Sequence, residues 1–126
     1  MTEPAFGAEL LDRLRQEIEV DIETRPAAGA EPHRTIIWVV VDDRDRVLVR
    51  SYRGAGARWY REATSGTPTA LVVGDEVVPV TVEHARDDDR IRACSAELER
   101  KYAGDPATPA MVRDEVLDTT LELHSV

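Results

Sequence analysis

The chain has 126 residues, 42% of them hydrophobic and 33% charged, with a formal net charge of −9 at pH 7. That length predicts one domain over residues 1–126 with a core of its own, and the acidic balance excludes broad attraction to nucleic acid or to anionic membrane surfaces. Cys94 is the only cysteine, so an internal disulfide is excluded; with no apolar run of about 20 residues and no signal-peptide pattern in MTEPAFGAELLDRL, the expected location is the cytoplasm.

Leu11, Leu14 and Ile18 recur at helical spacing and predict a short amphipathic helix. It runs into Glu19 to Thr24, where Val20, Ile22 and Thr24 alternate with acids at the strand period. Residues 26–32, bounded by prolines, read as a loop. Thr35 to Val41 (TIIWVVV) predicts a strand buried on both faces, joined by the turn at 42–45 to a second strand over Val47 to Ser51.

The sixteen residues from Arg46 to Arg61 contain Arg46, Arg50, Arg53, Arg58 and Arg61 and no acid, a cationic island in an acidic protein. Guanidinium forks suit phosphate or carboxylate, and Gly54 and Gly56 allow a backbone to come close to a ligand. Ala57 to Thr64 predicts a short helix carrying Trp59 and Tyr60. A second hairpin follows, Thr69 to Val73 and Val77 to His84, with Pro79 marking an edge or a bulge. Asp87, Asp88 and Asp89 read as an N-cap and first-turn charges of a helix whose stripe is Ile91, Cys94, Leu98 and Tyr102, with Cys94 expected as a buried thiol. Residues 103–106 end that helix, Pro109 to Val116 predicts another turn or two, and Asp118 to Val126 a last strand. Hairpins without crossover helices imply an antiparallel sheet, and the whole reads as α+β, a six-stranded antiparallel barrel with peripheral helices.

The run from Thr35 through the arginine loop to Trp59-Tyr60, the second hairpin, and the helix ending Glu99-Arg100-Lys101-Tyr102 resembles the split β-barrel superfamily of flavin-binding proteins, typified by pyridoxamine phosphate oxidase. Within it, the chain resembles a group of uncharacterised bacterial domains related to the deazaflavin-dependent nitroreductases. The matching pieces are Thr24-Arg25, Ser51-Tyr52-Arg53-Gly54 and Arg58-Trp59-Tyr60; Lys101-Tyr102 and Thr119-Thr120-Leu121 resemble the bacterial group more narrowly. The chain departs from the deazaflavin reductases at Arg61-Glu62, where an asparagine is common, and at residues 26–32, which replace a Ser-Gly turn.

The resemblance implies FMN or a deazaflavin coenzyme. Its phosphate would rest on Arg25, Arg34, Ser51, Arg53 and Arg58, with close backbone approach at Gly54 and Gly56 and Trp59 as a wall. It also implies a homodimer with the cleft between subunits. The apolar slot for a ring would come from Ile36, Trp38 and Val40 or from the second subunit, although Trp38 by itself reads as core. Tyr52, Tyr60, Glu62 and His84 are the candidates for proton transfer to a small-molecule substrate; Glu62 also reads as a helix ion pair with Arg58. His33, His84 and His124 have no metal-ligand spacing, and neither a nucleophile elbow nor a phosphate-binding loop motif occurs. Three functions remain open: an oxidoreductase with a flavin-type cofactor, a cofactor-free enzyme binding an anionic substrate, and a non-catalytic binding module.

Overall fold

The computed structural model describes residues 6–126; residues 1–5, which open the N-terminal stretch read above, lie outside the described residues. The α-helices are α1 (Ala8–Gln16), α2 (Arg58–Ala63), α3 (Asp88–Lys101) and α4 (Thr108–Met111), with short 3-10 turns at Gly54–Gly56 and Asp114–Thr119. The strands are β1 (Val20–Thr24), β2 (His33–Ile37), β3 (Val39–Val41), β4 (Val47–Val49), β5 (Thr69–Val73), β6 (Glu76–His84) and β7 (Leu121–Ser125). All seven lie in one antiparallel sheet of order β2-β1-β5-β6-β7-β4-β3. No helix of the described residues is long and apolar enough to cross a membrane.

The strands at the two ends of that order, β2 and β3, are neighbours in the chain, separated only by Trp38. Consecutive Cα atoms lie about 3.8 Å apart, so two steps of chain hold the two sheet ends together and the sheet must curl into a barrel. The seam between β2 and β3 has no ladder. This accounts for the seven strands where six are expected: the run Thr35 to Val41 is one β-branched segment bent at Trp38 into two.

Burial on both faces holds for only half of that run. In β3, Val39 and Val41 point into the barrel with Ile22, Val49, Leu71 and Leu123, while Val40 packs outward with Leu48 of β4 against Cys94 and Leu98 of α3 and Tyr102 at its C-cap. In β2, by contrast, Ile36 is 62% exposed. Ile18 also departs from expectation. It lies beyond the end of α1 and is 60% exposed, because Glu17 turns extended and closes the helix after Gln16. The last strand begins at Leu121 rather than Asp118, since residues 114–119 close a 3-10 turn before it.

Other local signals are realised as they read. Asp87 caps α3, its side chain accepting from the Arg90 N–H at 3.0 Å, with Asp88 and Asp89 in the first turn. Pro79 pairs with Ala70 of β5 on one side, while pairing to β7 on the other side starts only at Val80, so the missing N–H interrupts no ladder. Gly104 ends the α3 region at φ +84°.

Tyr102 and Lys101 fasten α3 to the seam. The Tyr102 ring stacks on Trp38 with centroids 3.8 Å apart and planes 3° from parallel. Its hydroxyl donates to the Ile18 carbonyl at 2.7 Å, and burial pushes its pKa up. Lys101 Nζ donates to the carbonyls of Leu14 (2.8 Å) and Val39 (2.7 Å), tying α1, β3 and α3 at one point; burial lowers its pKa to about 8.

Tyr102→Phe removes only the hydroxyl and is expected to lower the unfolding free energy by about 1 kcal/mol. Tyr102→Ala also removes the stack and is expected to cost about 3–5 kcal/mol. Urea denaturation of both variants measures the difference, and equal costs would mean that the ring stack contributes nothing.

Candidate functional site

Where the barrel is split, a cleft of about 570 Å³ opens over the Trp38 bend. Its apolar wall comes from Ile36, Ile37, Trp38, Ala57, Trp59 and Met111, and Ile18 and Tyr52 lie at it as exposed apolar groups. Two arginines border it, Arg50 at the end of β4 and Arg53 in the following loop, together with the carboxylates Glu19 and Asp105. Trp38 is therefore half-buried rather than core: it covers Tyr102 with one face and helps line the cleft. Val40, the third residue expected in the slot, is buried outside the barrel against α3.

The cationic island does not survive as one patch. Arg46 turns back onto the β3–β4 turn, its Nε donating to buried Asp42 at 2.7 Å and its Nη1 to Asp89 at 3.0 Å. Asp42 also accepts the backbone N–H groups of Arg44 and Arg46, which fixes that turn. Arg50 is buried, Arg53 reaches the cleft, and Arg58 and Arg61 are exposed on α2 outside the cleft lining.

Of the eight residues expected to hold a cofactor, the structure brings Arg53 and Trp59 to the cleft. Arg25 and Arg34 lie elsewhere on the surface: Arg25 donates to the Ala30 carbonyl at 3.2 Å within its own loop, and Arg34 pairs with Glu23 across the β1–β2 ladder at 3.0 Å. Register decides the Arg34 contact, because Glu23 stands directly across the ladder and takes its guanidinium. Ser51 is fully buried, its hydroxyl donating to the Gly54 carbonyl at 2.7 Å and its N–H to Thr119 Oγ1 at 3.0 Å. Gly54 adopts φ +76°, the left-handed conformation this turn needs, and does not line the cleft.

The four proton-transfer candidates separate. Tyr52 is 52% exposed at the cleft, its ring 5.7 Å beneath the Arg113 guanidinium. Tyr60 is buried in the barrel core, edge-on to Trp59 and to His84, and burial raises its pKa. His84 lines a different hollow, beside Val80, Val82 and Thr69. Glu62 accepts from Thr24 Oγ1 at 2.7 Å and lies 3.0 Å from His33 Nδ1, so it joins α2 to β1 and β2 rather than pairing with Arg58. Those hydrogen bonds to His33 and Thr24 hold its carboxyl below the ordinary value.

Away from the cleft, Glu83, Glu122 and His124 converge, and the cation among them is Arg90, whose Nη1 lies 3.1 Å from Glu83 and 2.9 Å from Glu122. Cys94 is buried, and desolvation pushes its thiol up to about 11, which keeps it protonated at neutral pH. Arg50 is a cleft residue that site assignment from the sequence passed over, while Trp38, named for the ring slot but read by itself as core, does line the cleft. The signal available for Arg50 was its place directly after Val47–Val49, where a charge has to be accommodated by something specific.

The comparisons with known proteins fit this geometry. A family described as an uncharacterised protein conserved in bacteria (DUF2255) matches residues 10–123. No curated protein matches the chain. Among solved structures, the chain is similar to the heme storage protein HutZ of Vibrio cholerae (TM-score 0.64, 10% identity, 98% of this chain and 92% of that one). It is also similar to a Listeria innocua protein described as a pyridoxamine 5′-phosphate oxidase (0.58, 11%, 94% and 90%). A third is the FAD and heme binding protein of Mycobacterium smegmatis (0.61, 18%, 95% and 65%). The fold is thus the split antiparallel barrel that these solved structures share.

The Thr24–Glu62–His33 cluster sets a pH dependence. The Glu62 carboxyl is depressed in the folded state, so its contribution to stability is present above about pH 4.5, the ordinary value, and disappears as pH falls through the folded value. The stability difference between the parent and Glu62→Gln, read from urea midpoints, is expected to be largest at pH 7 and to shrink below pH ~4. A difference that stays constant across that range would remove the ionised carboxylate from the account.

Proposed function

The chain belongs to the DUF2255 family of proteins conserved in bacteria, and we propose that it is a flavin- or deazaflavin-binding protein of the oxidoreductase kind, acting on a small organic molecule. The observation that carries this reading is the cleft. It has the size of a small-molecule site, about 300–1,000 Å³, and it combines Trp38 and Trp59 with aliphatic neighbours and two guanidinium groups. A flat aromatic ring with an anionic tail matches that donor set: indole and Ile36 for the ring, Arg53 for the charge. When bound there, a flavin or deazaflavin supplies hydride transfer. The residues around it orient the ring, exclude water from one face and, at Tyr52, offer a hydroxyl at the mouth.

Two further observations favour this over the alternatives. Among the four proton-transfer candidates only Tyr52 borders the cleft, which leaves a cofactor-free enzyme without the other three. The barrel is shared with proteins described as binding heme as well as FAD. A heme iron is held by histidine, cysteine, methionine or tyrosine; neither histidine nor cysteine lines this cleft among the described residues, and Tyr52 and Met111 are the groups of this kind that do. Shared fold alone does not choose the ligand, so this reading rests on the donor set.

Ile18, Ile36 and Tyr52 are exposed, apolar and all at the cleft. Their exposure supports a homodimer in which a second copy closes the mouth. A cytoplasmic location is consistent with the single buried thiol.

Titration of the purified protein with FMN, riboflavin and a deazaflavin coenzyme, followed by tryptophan fluorescence, tests the reading. Saturable quenching by at least one of them is expected. Arg53→Ala is expected to weaken an anionic cofactor by about 1.5–3 kcal/mol, roughly tenfold to 150-fold in Kd, and Trp38→Leu to weaken all three. No quenching by any of the three, with the protein folded, overturns it.

A further inference from the structure

Arg50 is the largest fully buried side chain among the described residues, 1% exposed. Its Nε donates to Thr120 Oγ1 at 2.9 Å, its Nη1 to Ser95 Oγ at 2.8 Å and to the Met111 carbonyl at 3.1 Å, and its Nη2 to the Ile91 carbonyl at 3.0 Å. These bonds tie the end of β4 to α3, α4 and the entry to β7. All four acceptors are neutral, and a guanidinium has five N–H donors. One N–H of Nη2 is left without an acceptor among the described residues.

A buried ion is ordinarily paired, because desolvation costs several kcal/mol per charge. The largely buried Arg46 and Arg90 side chains follow that rule, each with a carboxylate oxygen within hydrogen-bond distance. Arg50, more buried than either, has none. The ionisable group that acts on it is the Cys94 thiol, which is neutral at physiological pH because burial raises its own pKa. In a chain with 25 acidic residues, leaving this one guanidinium without a counter-charge needs a reason. The reason suggested by its position is the cleft, which it borders together with Arg53, itself exposed and without an ion pair among the described residues.

We infer that Arg50 is an anion anchor: the cleft takes a ligand bearing an oxyanion, phosphate or carboxylate, whose charge completes the surroundings of the Arg50 guanidinium while Arg53 closes over it from the rim. The inference rests on the cleft being the ligand site and names the chemistry it selects. Arg50 is held rigid by four bonds, so its field is fixed in a low-dielectric wall before the ligand arrives. Arg53 is the adjustable partner. Because Arg50 also joins α3, α4 and β7 to the barrel, an anion that neutralises it steadies that wall, and binding is coupled to stability.

The first probe is inorganic phosphate against chloride at equal ionic strength, with acetate as the carboxylate arm. Phosphate or acetate is expected to raise the unfolding temperature above its value in chloride and to shift the Nε–Hε resonance of Arg50 in a ¹⁵N-resolved spectrum of the unaltered protein. Arg53→Gln is expected to reduce the rise without abolishing it, and Arg50→Lys, where it folds, to keep part of it. The resonance needs no variant, so it decides even where Arg50 substitutions do not fold. An unmoved resonance with equal unfolding temperatures in all three salts overturns the anchor.

FMN and riboflavin separate this from the preceding reading, since they share a ring and differ by a phosphate. If the two bind equally and the salts have no effect, the anchor fails and the ring site stands. If phosphate or acetate acts but no flavin binds, the anchor stands and the flavin reading fails.

Discussion

Everything in this barrel depends on one covalent fact, that the strands at opposite ends of the sheet are separated by a single residue of chain. The continuity of Ile37, Trp38 and Val39 forces the sheet to curl until its ends meet. No ladder can form where the strand bends, so the ends meet without hydrogen bonding. The seam has to be closed by side chains, and the closing group is the Trp38–Tyr102 stack, braced by the Tyr102 hydroxyl on Ile18 and by Lys101 on Leu14 and Val39. The same bend that closes the barrel therefore leaves a cleft with an indole in its wall.

Charge is distributed so that each arginine of the cationic stretch serves a different end. Arg46 is neutralised by Asp42 and Asp89 and stabilises a turn. Arg50 is driven into the interior by the alternation of β4 and there finds only neutral acceptors. Arg53 lies after the strand has ended and reaches the cleft. A surface ion pair contributes little, while a buried charge without a partner is costly. Of the stretch, Arg50 and Arg53 are accordingly the guanidinium groups that border the cleft.

The residues expected to move protons tell a related story. Tyr60 and His84 come from elements that pack against each other on the far side of α2, away from the cleft, and Glu62 is engaged by Thr24 and His33. What these side chains do is dock α2 onto the sheet, and the position of α2 in turn sets Trp59 against the cleft. Each of the three contacts a group on another element rather than the cleft.

The sequence by itself determined the class of fold, the hairpins, the Asp87 cap and most element positions, because these follow from period, turn chemistry and capping over a few residues. Its short motifs also pointed to the split-barrel fold that the structure has. It could not reveal that Thr35 to Val41 is bent, since the TIIWVVV run carries neither Gly nor Pro and the bend is imposed by closure. Nor could it sort the arginines, because which face of a strand a residue takes, and what stands opposite, depends on register with segments far away: Glu23 for Arg34, Ile91 and Met111 for Arg50. Those pairings exist only after the barrel has closed, and they alone decided which charges are silent on the surface and which border the cleft.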